Sequence, residues 1–146
     1  MAEVNREVLR DELATVLEAA LVGTGKPAQA VYGYRRGDFQ GMTAIVSVLS
    51  EGSARHNLPR EEGNKVYLGL YLFVLYSDGA DWNEDDAEDC LDEIEALIAE
   101  TLAVYRRHPG YWQCIDYADR STREATLIIG GVPYILEHIP LEATYY

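Results

Sequence analysis

The sequence predicts an α+β fold, in which a single mixed or antiparallel β-sheet carries two α-helices packed on one face. An uncharged run from Val66 to Tyr76 is rich in β-branched and aromatic residues, which is typical of a buried strand. Two other segments place apolar residues at helical spacing. Shorter alternating runs lie on both sides of the second of these segments. Together they give the order α-β-β-β-α-β-β-β.

Length and composition limit the class of protein. The 146 residues are most simply one domain, 1–146. The formal net charge of −13 disfavours a nucleic-acid-binding groove and an affinity for anionic membranes. Two cysteines make no disulfide framework, and neither a signal peptide nor a membrane-spanning run is apparent. We therefore expect a soluble protein made in a reducing cytoplasm.

The first half of the chain contains one helix and three strands. The helix is predicted from about Val4 to Leu21, and Gly23 is its expected C-cap. A short strand at 30–34 and a longer one from Met42 to Ser50 follow. The residues between these strands include Gly and Asp, and we interpret them as a hairpin connection.

The third strand, Val66 to Tyr76, is apolar on both faces. Such a strand has to be covered on both sides. We expect helices on one side and a second copy of the chain on the other. Tyr67, Tyr71 and Phe73 point the same way and are the predicted oligomer interface, because tyrosine combines a large contact area with a polar tip.

A second helix is predicted from Glu84 to Arg107. Asn83 is the expected N-cap, and acidic residues crowd the first turns, where the helix dipole favours negative charge. Residues 78–100 hold eleven of the 25 acids. A run of charge usually marks a solvated helix face. The functional alternative is a surface that keeps polyanions from binding, with Asp85, Asp86, Glu88 and Asp89 at its centre.

Three further strands are predicted after this helix, at Trp112 to Tyr117, Glu124 to Ile129 and Val132 to Tyr145. Pro133 and Pro140 lack an amide donor. We therefore interpret the last strand as an edge strand or an interrupted one.

The sequence offers no catalytic, cofactor or metal site. Asp81 to Asp85 resembles the start of a calcium loop, but Asp86 replaces the required glycine and Asp92 the bidentate glutamate. The histidines stand alone in the sequence, and neither cysteine has a catalytic context. We expect a protein without enzymatic activity or cofactors.

The layout resembles that of the tail terminator, or tail completion, proteins of tailed bacteriophages. The resemblance lies in the amphipathic first helix, the long connection between the second and third strands, and the strand Val66 to Tyr76. It continues through the helix Glu84 to Arg107 into the strands around Ile128 to Tyr134 and Ile139 to Tyr145, and so covers nearly the whole chain. It implies a virion protein that forms a ring, usually a hexamer, on the head-proximal end of the tail tube.

Such a ring stops growth of the tube and joins the tail to the neck. The implied partners are other copies of the chain, the tail tube protein and the neck or connector protein. The implied location is the virion, after assembly in the host cytoplasm. DNA passes through the lumen, and an acidic wall lets it slide without binding. One alternative is a neck or head-completion protein of the same assembly, and another is a small acidic module that binds a basic partner.

The connection from Glu51 to Asn64 is a candidate contact with the neighbouring ring of the tube or neck. Fourteen residues are long for a hairpin loop, and long loops are commonly functional or disordered. Arg55, His56 and Arg60 supply positive charge, which attracts acidic patches on another subunit, and Leu58 supplies an apolar anchor. A disordered loop that only stays solvated is the alternative.

Overall fold

The computed structural model describes residues 5–55, 64–78 and 81–145, with the backbone alone at 125 and 126. In these residues the predicted order of two helices and six strands is confirmed. The elements are α1 (Arg6–Leu21), β1 (Ala30–Tyr32), β2 (Ala44–Ala54), β3 (Asn64–Leu75), α2 (Glu84–Val104), β4 (Cys114–Tyr117), β5 (Thr122–Ile129) and β6 (Val132–Tyr145). Neither described helix is both long enough and apolar enough to cross a membrane.

The six described strands form one mixed sheet in the order β1-β2-β3-β6-β4, and β5 also pairs with β6. β6 is an inner strand, because β3 pairs along one side of it while β4 and β5 share the other side. The interpretation of β6 as an edge strand is therefore wrong. Its two prolines lie at positions where no neighbouring strand needs a backbone N–H from β6. The carbonyl of Pro140 faces Ala118, in the gap between β4 and β5, and that of Pro133 faces Tyr76, just past the end of β3.

The predicted hairpin between β1 and β2 is wrong, because these strands are parallel. Ala30 pairs with Ile45, and Tyr32 pairs with Ser47. A parallel pair needs a connection that brings the chain back to the start of the next strand. Residues 33–43 do this and carry Phe39 onto the sheet face that the helices do not cover.

Both helices begin after an asparagine N-cap, of which Asn83 was predicted from the sequence and Asn5 was not. Asn5 accepts a hydrogen bond from the amide of Val8 at 3.0 Å, and Asn83 forms a capping box with Asp86. α2 ends at Val104, three residues before the predicted Arg107. The reason is the turn that follows, in which the indole of Trp112 donates to the carbonyl of Tyr105 at 2.7 Å.

The main core lies between the helices and the sheet. It contains the buried side of α1 and α2 and one alternating set of positions on the inner strands. Its buried members on β3 are Val66, Leu68, Leu70, Leu72 and Val74. A smaller cluster on the opposite face contains Phe39, Ile45, Phe73, Leu75 and Tyr134.

β2 is longer than predicted and runs to Ala54, so the connection expected at Glu51 to Asn64 begins only after Ala54. The ladder with β3 continues through a β-bulge between Ser50 and Gly52. Arg55 is exposed directly after β2. His56, Leu58 and Arg60 lie outside the described residues, so the predicted contact with a neighbouring ring stays a prediction.

Candidate functional site

The candidate site lies on the sheet face turned away from the helices, which we call the distal face. Ser47, Tyr71 and His138 stand side by side on it, because Ser47 pairs with Tyr71 across β2 and β3, and Tyr71 pairs with His138 across β3 and β6. Leu49, Gly69 and Pro140 form the next row toward the far end of β2. The distal face therefore combines apolar and titratable groups at its centre.

One half of the distal face is sealed by the chain itself. Phe39 is 2% exposed and packs on Phe73 and Tyr134, with ring centroids 4.9 and 5.0 Å apart. The hydroxyl of Tyr134 donates to the carbonyl of Met42 at 2.8 Å, which fixes the end of the same covering segment. Phe73 is consequently buried within the subunit, at 4% exposed. Of the three predicted interface residues, Tyr67 and Tyr71 remain half-buried.

The other half carries a hydrogen-bonded cluster of Glu51, Tyr71 and His138. Tyr71 donates its hydroxyl proton to one carboxylate oxygen of Glu51 at 2.7 Å, and Nε2 of His138 lies 2.9 Å from the other. The rings of Tyr71 and His138 stack with centroids 4.5 Å apart. Three polar groups from three strands thus form one hydrogen-bonded unit on the distal face.

Two backbone features put the Glu51 carboxylate into this position. The first is the β-bulge, since a bulge re-aims the side chain of its extra residue. The second is Gly69, where a Cβ atom would lie only 2.5 Å from the carboxyl carbon of Glu51. The missing side chain lets the carboxylate lie flat on the strand, between Tyr71 and His138.

The cluster changes the acidity of Tyr71. Burial, the hydrogen bond to Glu51 and the charge of Glu51 together raise the pKa of Tyr71 to about 12, and Arg35 opposes them. A neutral phenol is thereby kept as a donor to the carboxylate throughout the physiological range. The chemistry of the cluster is that of a fixed hydrogen-bond network around one carboxylate.

A cavity of about 80 Å³ opens beside the cluster. Its lining residues are Arg35, Ser47, Leu49, Tyr71, Phe73, Leu127 and Leu136. Ser47 is 1% exposed, and its hydroxyl has no hydrogen-bond partner among the described residues. A wider cleft of about 330 Å³ adjoins on the β5 side, bounded by Thr122, Glu124 and His138.

His108 and His138, which have no partner at ligand spacing in the sequence, each lie beside a distant glutamate, whereas His56 lies outside the described residues. His138 contacts Glu51, and Nε2 of His108 lies 3.2 Å from a carboxylate oxygen of Glu12. Aromatic rings surround His108, with Tyr111 stacked on it at 4.8 Å. Each glutamate is more than 80 residues away in sequence, so no local spacing could reveal either pair. In the described part of the chain, no group of three or more His, Cys, Asp and Glu could hold a metal ion.

The four predicted acids of α2 divide into two kinds. Asp86 accepts a hydrogen bond from the amide of Asn83 at 3.0 Å, and Glu88 pairs with Arg123 at 2.7 Å. Both therefore have structural partners. Asp85 and Asp89 are exposed. A surface that repels polyanions would depend on these two more than on the others.

Comparison with known proteins adds little to this geometry. No protein-family model and no curated protein matches the chain. One of the solved structures that the chain matches, a protein whose name states no function, aligns at 11% identity and a TM-score of 0.47. That alignment covers 97% of this chain and 94% of the other. A likeness at this level carries no functional argument.

Proposed function

We propose that the protein is a structural subunit that assembles into a closed homo-oligomeric ring, with the distal face as part of the contact between subunits. The observation that carries the proposal is the divided distal face. Phe39 seals one half, whereas Leu49, Tyr67 and Tyr71 on the other half stay partly exposed. Half-exposed apolar and aromatic side chains that lie together mark interaction surfaces.

A ring needs two different surfaces on each subunit, because head-to-tail contacts close into rings. The distal face supplies one of them. Val104, at the end of α2, is 74% exposed and lies in the helix layer, on the other side of the sheet. We propose that the helix layer of one subunit contacts the distal face of the next.

The ring that fits the resemblance is a tail terminator. It caps the head-proximal end of the tail tube, ends polymerisation of the tube and joins it to the neck, with the tube and connector proteins as partners. The net charge of −13 supports passage of DNA without binding, and Asp85 and Asp89 are exposed for this role. A protein with this role belongs to the virion, which we propose as its location.

The first experiment measures mass in solution and the length of tail tubes. We expect native mass spectrometry to show one closed multiple of 16.4 kDa, and we expect the protein to limit the length of tubes formed from purified tube protein. Leu49→Asp places a charge on the half-exposed distal face and should give a folded monomer. Thr24→Asp, in the exposed turn between α1 and β1 and on neither proposed contact surface, is the matched control and should keep the ring. A wild-type monomer that ignores tube ends would refute the proposal.

A second experiment separates the terminator from an acidic binding module. The change should be confined to Asp85→Asn with Asp89→Asn, because Asp86 and Glu88 have structural partners. If the protein is a terminator, the variant still forms rings and caps tubes, but DNA passes more slowly. Intact assembly together with loss of a basic protein partner would favour the module.

A third experiment concerns the connection between β2 and β3, whose predicted contact residues are Arg55, His56, Leu58 and Arg60. Because β2 runs to Ala54 and β3 begins at Asn64, only residues 55–63 should be replaced by a short Gly-Ser turn. We expect the variant to form rings that no longer cap tubes. Tubes of normal, fixed length would show that the connection is not the contact.

A further inference from the structure

The cavity beside Tyr71 has walls and polar groups that select a kind of ligand. Its walls are apolar and come from three strands, with Leu49 on β2, Phe73 on β3 and Leu136 on β6, while Leu127 of β5 closes one side. A volume of about 80 Å³ is roughly half that of an apolar cavity known to hold benzene. The space therefore suits a body of three or four carbon atoms.

Two of the three polar side chains at the cavity, Ser47 and Arg35, can donate hydrogen bonds to a ligand. The Ser47 hydroxyl is buried and has no partner in the part of the chain that the structure describes, and an unsatisfied buried hydroxyl is costly. Arg35 lines the same cavity and makes no ion pair within the described residues, in a chain where acids outnumber Lys and Arg by 25 to 12. The hydroxyl proton of Tyr71 is already donated to Glu51. A ligand that satisfies Ser47 and Arg35 together has to accept hydrogen bonds and carry negative charge.

We propose that this cavity binds a carboxylate carried on a short aliphatic stem, with the carboxylate oxygens on Ser47 and Arg35 and the stem between the leucines. Free short-chain acids, the C-terminal residue of a partner chain and a glutamate side chain all have this chemistry. The strong negative charge of the protein repels anions in general, so an anion that binds here does so through local donors. The proposal does not depend on ring formation, because the cavity lies within one subunit.

Binding can be followed by NMR of ¹³C-labelled leucine methyl groups, with isovalerate as the probe. Isovaleramide has the same shape without the charge and is the matched control ligand. We expect saturable shifts of the Leu49, Leu127 and Leu136 methyl groups with isovalerate, and affinity for isovaleramide weaker by about tenfold or more, as expected for loss of a charge-assisted hydrogen bond. Equal binding of both ligands, or binding of neither at millimolar concentration because the cavity holds only water, would overturn the proposal.

Two variants test whether Arg35 and Ser47 donate hydrogen bonds to the carboxylate of the ligand. Arg35→Gln should weaken isovalerate binding by about tenfold, and Ser47→Ala by several-fold, because each removes one hydrogen bond to the carboxylate. Arg107→Gln removes the same charge in the exposed turn after α2 and should change the affinity less than about twofold. Equal weakening by Arg35→Gln and Arg107→Gln would show that only net charge matters, and the site would be rejected.

Peptide probes then distinguish the sources. An acetylated dipeptide ending in leucine with a free carboxylate represents a C-terminal residue, and acetyl-glutamate N-methylamide represents a side chain. Tighter binding of either than of isovalerate identifies a partner chain as the source. Tighter binding of isovalerate identifies a free acid.

Discussion

Gly69→Ala tests whether the glycine exists to make room for the Glu51 carboxylate. A methyl group at this position would lie 2.5 Å from the carboxyl carbon of Glu51 and 2.9 Å from a ring carbon of Tyr71. The carboxylate is the flexible end of a side chain, so it should swing away and leave the backbone in place. It would then lose its contacts with Tyr71 and His138.

The expected loss of unfolding free energy follows from these contacts. A hydrogen bond to a charged group contributes about 1.5–3 kcal/mol when buried. The Glu51 and His138 side chains are 27% and 28% exposed, so we take about 1 kcal/mol for each of the two bonds to Glu51. Alanine in a strand regains roughly 0.5–1 kcal/mol relative to glycine. The net destabilisation should be about 1 kcal/mol.

A double-mutant cycle with Glu51→Ala isolates the steric effect. Without the carboxylate, Gly69→Ala should become neutral or stabilising, which corresponds to a coupling of about 2 kcal/mol between the two positions. The contact with the Tyr71 ring is present in both backgrounds and cancels. Urea unfolding of the four proteins, all at the same protein concentration, measures the coupling free energy. Additivity within about 0.5 kcal/mol would refute the idea that Gly69 accommodates Glu51.

Three further predictions concern the covering segment of the distal face, the pKa of Tyr71 and the start of α2. Phe39→Ala should reduce the unfolding free energy by about 3–5 kcal/mol, because a fully buried ring is lost from the distal face, and a urea midpoint close to wild type would contradict the packing. Because the pKa of Tyr71 is raised above its ordinary value of 10.0 in the folded state, its contribution to stability is present in full below pH 10.0 and lost as the pH rises through about 12. Glu51→Gln should lower this pKa while burial keeps it above 10.0, as ¹³C-tyrosine NMR titration would show, and an unchanged pKa would exclude the role of Glu51. Asp86→Ala should cost about 1 kcal/mol through the capping box, whereas Asp85→Asn should cost less than about 0.5 kcal/mol, and equal melting temperatures would contradict this difference.

The order of elements was predictable because each has a local signal. Asn83 and the acids after it mark the start of α2, and the uncharged run around Leu70 marks the inner strand. The end of α2 was missed because its stop depends on Trp112 reaching back to Tyr105, which is a contact between side chain and backbone rather than a helix-end pattern.

The parallel pairing of β1 was not predictable from local turn chemistry. Gly and Asp in the connection favour a turn, and turn residues serve hairpins and longer crossings equally well. The informative residue was Phe39, the one aromatic side chain between Arg35 and Gly41. Its burial on Phe73 shows that the connection is a packed covering segment.

The candidate site could not be predicted from the sequence for a related reason. Glu51, Tyr71 and His138 come from three strands, and their meeting depends on the register of the sheet and on one bulge. A single signal in the sequence pointed toward it. A glycine in the middle of an inner strand weakens that strand unless something approaches closely, and at Gly69 the close neighbour is the Glu51 carboxylate.

The structure also changes what a partner on the distal face must provide. The sequence predicted an apolar strand side that a second copy would cover, but Phe39 already covers Phe73, and the uncovered half has the Glu51 cluster near its centre. Burial of a partly exposed carboxylate costs several kcal/mol unless the partner satisfies its remaining acceptor positions. An interface here must therefore bring donors to Glu51 as well as apolar area to Leu49 and Tyr67. That requirement favours one relative position of the two subunits over others. A shifted contact would leave the Glu51 carboxylate buried without hydrogen-bond donors from the partner.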